Sequence, residues 1–308
     1  MASDEASANE DQVKVVEVGP RDGLQNEASI LATADKVELV ERLVSAGIGA
    51  VEATSFVRPD RIPQLSDGAQ VFPAIEKVAG VRYIALVPNL RGLESAREAG
   101  VTEMAVFAAA SEAFNRSNLG RGTEESLAMF AEVAREGLAL GMTVRGYVST
   151  VLGCPFQGEV PLAEVFRVLE AMDQMGCDEI SLGDTIGVGR PAGVVELVRG
   201  ASEVVDISRV AVHFHDTYGM GLSNSMAAIG EGVRTVDTSI GGLGGCPFAG
   251  PGAKGNLATE DLVYALAESD HDTGADLDSL VATNKWLAEK IGRPLPSRSA
   301  AALQAKAE

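Results

Sequence analysis

The chain has 308 residues, 46% of them hydrophobic and only 5% aromatic, which is ample for a large core. Its formal net charge is −19, so it has no electrostatic reason to seek nucleic acid or an anionic membrane surface, and neither partner is expected. No apolar stretch is long enough to cross a bilayer.

The first eleven residues, MASDEASANED, are acidic and polar. They resemble neither a secretory signal nor an Arg-rich presequence, and residues 1–11 read as a disordered tail. Short β-branched runs then alternate with helical patterns through most of the chain. The runs are VKVVEVG (13–19), GAVEATS (49–55), RYIALVP (82–88), EMAVFAA (103–109), TVRGYVS (143–149), EISLGD (179–184), VAVHFH (210–215) and TVDTSIGG (235–242). Helical stripes lie between them, with Val37, Val40, Leu43 and Val44 on one and Leu127, Phe130, Val133, Ala134 and Leu138 on another. Thr33 and Thr123 stand where N-caps belong, and Gly47, Gly100, Gly141, Gly176 and Gly232 stand where helices end. Eight such units predict an α/β fold, a (β/α)8 TIM barrel over residues 12–272. A doubly wound sheet is the rival, but GPRDGLQNE after the first run is not a phosphate-binding glycine loop. Residues 273–308 form a short C-terminal extension, with a helix near 276–291 and a loosely ordered tail, RPLPSRSAAALQAKAE. The three cysteines, Cys154, Cys177 and Cys246, fit no metal-finger spacing, and a reduced cytoplasmic protein suits them best.

Alternation along the seventh run points His213 and His215 to one side and Phe214 to the other. The pair falls at the C-terminal end of a barrel strand, where barrel enzymes keep their chemistry, and suits a divalent metal. Hydrogen-bonded core histidines are the alternative. Other polar residues reach the same mouth: Arg21 and Asp22 after the first run, Glu52 on the second, Arg145 and Tyr147 on the fifth, Asp184 ending the sixth and Asn256 after the eighth. Structural ion pairs would explain Arg21 with Glu52 but explain the whole ring poorly, because unpaired burial is expensive. Cys246 sits in a glycine-rich loop, GGLGGCPFAGPGAKGN (241–256), where a thiol can serve as an acid–base group.

EVGPRDGLQNE, EATSF, RGYVS, SLGDTIGVG, VHFHDTYGMGLSN and GGLGGCPFAGPGAKGNLATED together resemble the 3-hydroxy-3-methylglutaryl-CoA lyase family, within a superfamily of metal-dependent barrel lyases and condensing enzymes. The resemblance implies Mg2+ or Mn2+ held by Asp22, His213, His215 and Asn256. It implies an acyl-CoA substrate, cleaved in leucine degradation and ketone-body formation, and a homodimer. It also implies catalytic roles for Arg21, Asp22, Glu52, Cys246 and His213, with Arg21 steadying an enolate and Glu52 orienting Arg21. Gln25, Ser55, Arg145, Tyr147 and Asp184 are the implied substrate contacts. Asp22 and Cys246 are both candidates for the proton-carrying roles. Ala28 stands where many relatives carry a lysine, with Arg116 and Arg121 as possible substitutes for holding CoA phosphates. Rival functions are a Claisen-condensing synthase of the superfamily, a lyase for another 3-hydroxyacyl-CoA, and a metal-binding barrel that binds acyl-CoA without turnover.

Overall fold

In the computed structural model, which describes residues 11–245 and 255–307, eight parallel strands close into a barrel in sequential order. They are β1 (Lys14–Glu17), β2 (Ala50–Ser55), β3 (Arg82–Leu86), β4 (Glu103–Ala109), β5 (Thr143–Ser149), β6 (Glu179–Asp184), β7 (Val210–Phe214) and β8 (Thr235–Thr238). The helices are α1 (Thr33–Ser45), α2 (Gly68–Ala74), α3 (Leu90–Glu98), α4 (Glu112–Leu119), α5 (Thr123–Ala139), α6 (Leu162–Gln174), α7 (Pro191–Ser202), α8 (Gly221–Gly230), α9 (Thr259–Leu266), α10 (Leu277–Ile291) and α11 (Arg298–Ala307). Each of the eight β-branched runs contains a barrel strand, so short β-branched runs between helical patterns were the right signal. The proposed acidic tail, apart from Asp11, lies outside the described residues.

Alternate strand positions divide the core. Val15, Val51, Met104, Ile180, Leu182 and Val212 pack outward against the helices. Val16, Val18, Ala50, Ile84, Leu86, Ala105 and Tyr147 form a separate cluster inside the barrel. Burying aliphatic side chains on both faces is what a parallel sheet covered by helices requires. Between Glu52 and Thr54 the β2–β3 register slips by one residue. The slip changes the phase of the strand: Thr54 turns toward Gly68 of α2, and Ser55 takes the opposite, inward side together with Glu52. The helix-ending glycines all have positive φ, from 80° at Gly100 and Gly141 to 102° at Gly232, the region where a side chain would be strained.

Three expectations need correction. The N-caps of α1 and α5 are Ala32 and Gly122, one residue before the expected threonines. Thr33 instead donates to Asp67 at 2.7 Å, just before α2, and Thr123 accepts from the side chain of Asn115 in α4 at 2.9 Å, so both hydroxyls fasten their helices to neighbouring elements. Leu138 is 40% exposed; the buried face of α5 ends instead at Gly137, which packs against Met104. Residues 298–307, expected to be loose, form α11. Ser297 supplies the missed N-cap, accepting from Ala300 N at 3.2 Å. Asp261 of α9 accepts from Ser297 Oγ at 3.0 Å and Ser299 N at 2.7 Å. Leu295 lies against Gly241, where a Cβ would come within 2.5 Å of it.

The turn at Gly241 sits between two buried carboxylates. Glu17 accepts from Gly19 N, Ile240 N and the Thr259 hydroxyl, and Glu260 accepts from Gly241 N and from Asn284 at 2.7 Å. Burial pushes Glu17 up to about 7 and Glu260 up to about 8, against the pull of these donors. A carboxyl whose folded pKa is raised favours the fold while it is protonated, and that contribution is lost as pH rises through the folded value. The melting temperature should therefore fall between about pH 5 and about pH 9, since each tenfold difference in proton affinity between the folded and unfolded chain is worth on the order of 1.4 kcal/mol. Glu260→Gln should flatten that fall; a variant whose melting temperature drops as steeply as the parent's over the same range removes Glu260 from the account.

Candidate active site

The C-terminal ends of the strands gather the polar groups. After β1 the chain makes one wide helical turn, with Gly23 N bonded five residues back to Val18 O at 3.1 Å. That turn swings Arg21 and Asp22 over the mouth. Arg21 Nε and Nη2 both reach Glu52 Oε2, at 2.7 and 2.6 Å, and Nη1 reaches Asp22 Oδ1 at 2.6 Å. The guanidinium carbon also stands 5.6 Å from the centre of the Tyr147 ring. Gln25, on the next short turn, donates to Asp22 Oδ1 at 3.3 Å.

The two histidines converge as the alternation requires. Their Nε2 atoms are 3.2 Å apart, His213 Nε2 is 4.0 Å from Asp22 Oδ2, and Phe214 is buried in the helix layer. Asp22, His213 and His215 offer one ligand atom each, all within 4.8 Å of one another. Asn256 joins them through an isolated bridge to His215, framed by Asp216 N on Gly255 O at 2.9 Å and Leu257 N on Phe214 O at 3.1 Å. The Asn256 amide nitrogen is held by Asp22 Oδ2 at 2.9 Å and Leu243 O at 3.0 Å, which leaves Oδ1 buried without a partner. An unpaired amide oxygen beside a carboxylate and two imidazoles is a donor set for a hard divalent cation.

The electrostatics suit that use. Burial raises the Asp22 carboxyl, but Arg21 and the two histidines outweigh it and hold the group below its ordinary value. Burial and the neighbouring His213 pull His215 down to about 4, leaving a neutral ring with a free lone pair near neutral pH. Burial also works against a charge on His213, yet Asp237 and Asp22 outweigh it and raise its pKa. Glu52 Oε1, Ser55 Oγ and the Tyr147 hydroxyl are buried without hydrogen-bond partners. Unsatisfied groups at one rim are costly unless something else binds there.

Two expected substrate contacts lie elsewhere. Arg145 does not reach the mouth: its side chain is fully buried and bonded to Asp237 and Glu179. Asp184 shares the register of Ile180 and Leu182, which face the helices. Its carboxylate accepts from Val188 N at 3.2 Å and Gly189 N at 2.7 Å and so fastens the loop after β6. Arg116 is 68% exposed and paired with Glu112, and Arg121 donates to the Met129 sulfur. Cys246 lies outside the described residues. Cys154 is buried 2.9 Å from the Ser111 hydroxyl, and burial drives the Cys177 thiol up to about 12. Sequence reasoning missed Asp237, although TVDT places it on the inward side of its strand, opposite in phase to the outward Val236.

Among the described residues no helix is long and apolar enough to cross a membrane. The chain is 49% identical over 291 residues to the mitochondrial hydroxymethylglutaryl-CoA lyase of Arabidopsis thaliana, a match covering 94% of this chain and 62% of that protein. It is 47% identical over 296 residues to the 3-hydroxy-3-isohexenylglutaryl-CoA/hydroxymethylglutaryl-CoA lyase of Pseudomonas aeruginosa, covering 96% of this chain and 98% of that one. The crystal structure of the Bacillus subtilis HMG-CoA lyase superposes with a TM-score of 0.93 at 44% identity, over 96% of this chain and 98% of the other. The HMGL-like family model matches residues 12–287, and the chain belongs to that family.

Proposed function

We infer that this chain is a carbon–carbon lyase that cleaves 3-hydroxy-3-methylglutaryl-CoA to acetyl-CoA and acetoacetate. The convergence of Asp22, His213 and His215 with the unpartnered Asn256 oxygen, beside Arg21, carries the reading. Kinship with hydroxymethylglutaryl-CoA lyases along nearly the whole chain supports it.

The reaction is a retro-Claisen cleavage. The tertiary hydroxyl loses its proton, the bond between the carbinol carbon and the thioester α-carbon breaks, and the electron pair passes into a thioester enolate that is then protonated. Asp22, His213, His215 and Asn256 would hold Mg2+ or Mn2+. A divalent cation there supplies Lewis acidity toward substrate oxygens and acidifies a hydroxyl. Arg21 presents a permanent positive charge to the enolate oxygen, and Glu52 keeps the guanidinium in register. The Ser55 and Tyr147 hydroxyls, buried without partners, and the Gln25 amide would bind the acyl portion. Asp22 and Cys246 are the two candidates for the proton-carrying roles in this reading. Cys246→Ala should fold normally and bind metal but lose most turnover, while alanine variants of the buried Cys154 and Cys177 keep it. Labelling by a thiol reagent that inactivates through Cys177 would remove Cys246 from the mechanism.

A lyase for a longer-branched 3-hydroxyacyl-CoA is the second reading, favoured by the doubly named Pseudomonas relative. Turnover of 3-hydroxy-3-methylglutaryl-CoA against its isohexenyl counterpart separates the two. EDTA should abolish either activity and added Mn2+ restore it; full activity in metal-free protein would end the metal-dependent reading. The same reading makes the protein a cytoplasmic homodimer; light scattering on pure protein tests the dimer.

A further inference from the structure

The barrel interior holds an apolar cluster and a charged string. Val16, Val18, Ala50, Ile84, Leu86 and Ala105 of β1 to β4, with Tyr147 of β5, make the apolar cluster. Beneath His213, on the side of β5 to β8, the filling is charged. Asp237 of β8 is fully buried and is the register partner of His213 on β7. Its Oδ2 stands 3.3 Å from His213 Nδ1, the ring nitrogen that faces away from His215; this is ion-pair distance without hydrogen-bond alignment, so a small turn of the ring is needed to complete the bond. Asp237 also receives Ser181 Oγ at 2.8 Å and a two-pronged contact from Arg145, at 2.7 and 3.2 Å. Arg145 also lies 4.8 Å from the centre of the Tyr147 ring, and its Nε on Glu179 at 2.7 Å continues the string to Arg82 and Glu103 at the barrel floor.

A carboxylate held by three hydrogen bonds from two side chains cannot follow a rotating imidazole; the imidazole must settle to it. A ring that donates Nδ1–H to Asp237 carries its lone pair on Nε2, which faces His215 and Asp22. Carboxylates in this relation to a ligating histidine fix its tautomer and raise its basicity. Apolar packing of the kind found in that cluster would serve stability at least as well as a buried charge string, so stability alone does not explain the string under His213.

We propose that Asp237 is a positioning residue for the metal site, setting the tautomer and orientation of His213 so that Nε2 faces the cation, and that Arg145 acts through Asp237 rather than on substrate. The inference rests on the metal-dependent reading above but not on the identity of the substrate.

The test is Mn2+ affinity of the full chain, read by electron paramagnetic resonance of free Mn2+. Asp237→Asn should weaken binding about 10- to 100-fold. In a His213→Ala background the same substitution should change affinity little, because the residue through which it acts is gone. Equal losses in both backgrounds, or no loss in a folded Asp237→Asn protein, would overturn the proposal. If Asp237→Asn leaves Arg145 too poorly compensated to fold, the double variant Asp237→Asn/Arg145→Gln removes both charges and is titrated in the same two backgrounds, with the same outcomes deciding. A parent protein that binds no Mn2+ would overturn this proposal together with the metal-dependent reading. Intact, His213-dependent coupling in a protein that fails to cleave 3-hydroxy-3-methylglutaryl-CoA would sink the substrate assignment alone.

Discussion

Arg21→Gln should lose about 100-fold or more in turnover while KM changes by a small factor. The guanidinium is clamped by Glu52 on one edge and by Asp22 on the other, with its face toward Tyr147. It is therefore fixed before any substrate arrives, and no reorganisation is needed as charge builds on the thioester oxygen. Glutamine keeps a donor at the same place but removes the fixed charge, which matters most where charge develops, in the transition state. Glu52 would be left buried against a neutral amide, so the comparison requires a melting curve showing the variant folded. Near-normal turnover with a large rise in KM would assign Arg21 to substrate holding and not to the chemical step.

Asp22→Ala should cost at least about 1,000-fold in turnover, an effect of several kcal/mol. Asp22 is the only carboxylate among the four proposed ligands and also holds Asn256 and Gln25 in place. Removing it takes away the one formal negative charge of the set and frees two other side chains at once. Mn2+ affinity should fall along with turnover. A variant that binds Mn2+ normally and turns over slowly would move Asp22 from ligand to proton carrier, the other role open to it.

The barrel was legible because its signals are local. Eight short β-branched runs alternate with helical stripes, and glycines stand at the helix ends where φ is positive. Asp22, His213 and His215 were legible for a similar reason: strand alternation fixes the two histidines on one side, and the turn after β1 falls at the same rim. What the sequence hid depends on reach and phase. Arg145 has the parity of an inward residue, but parity does not say how high in the barrel its long side chain ends, and Asp237 and Glu179 draw it downward. Asp184 stands one position out of phase with the inward Ser181, so it meets loop backbone. Ser55 faces inward only because the strand slips at residue 53, which no residue pattern announces. The last helix was hidden by two prolines; its cap, Ser297, and its anchor, Asp261, are 36 residues apart in sequence.

The central claim is tested most directly by incubating metal-loaded protein with 3-hydroxy-3-methylglutaryl-CoA and measuring both products. Acetyl-CoA and acetoacetate should appear in equal amounts, and EDTA should stop both together. Intact thioester after prolonged incubation with folded, Mn2+-loaded protein, or free CoA released without acetoacetate, would contradict it.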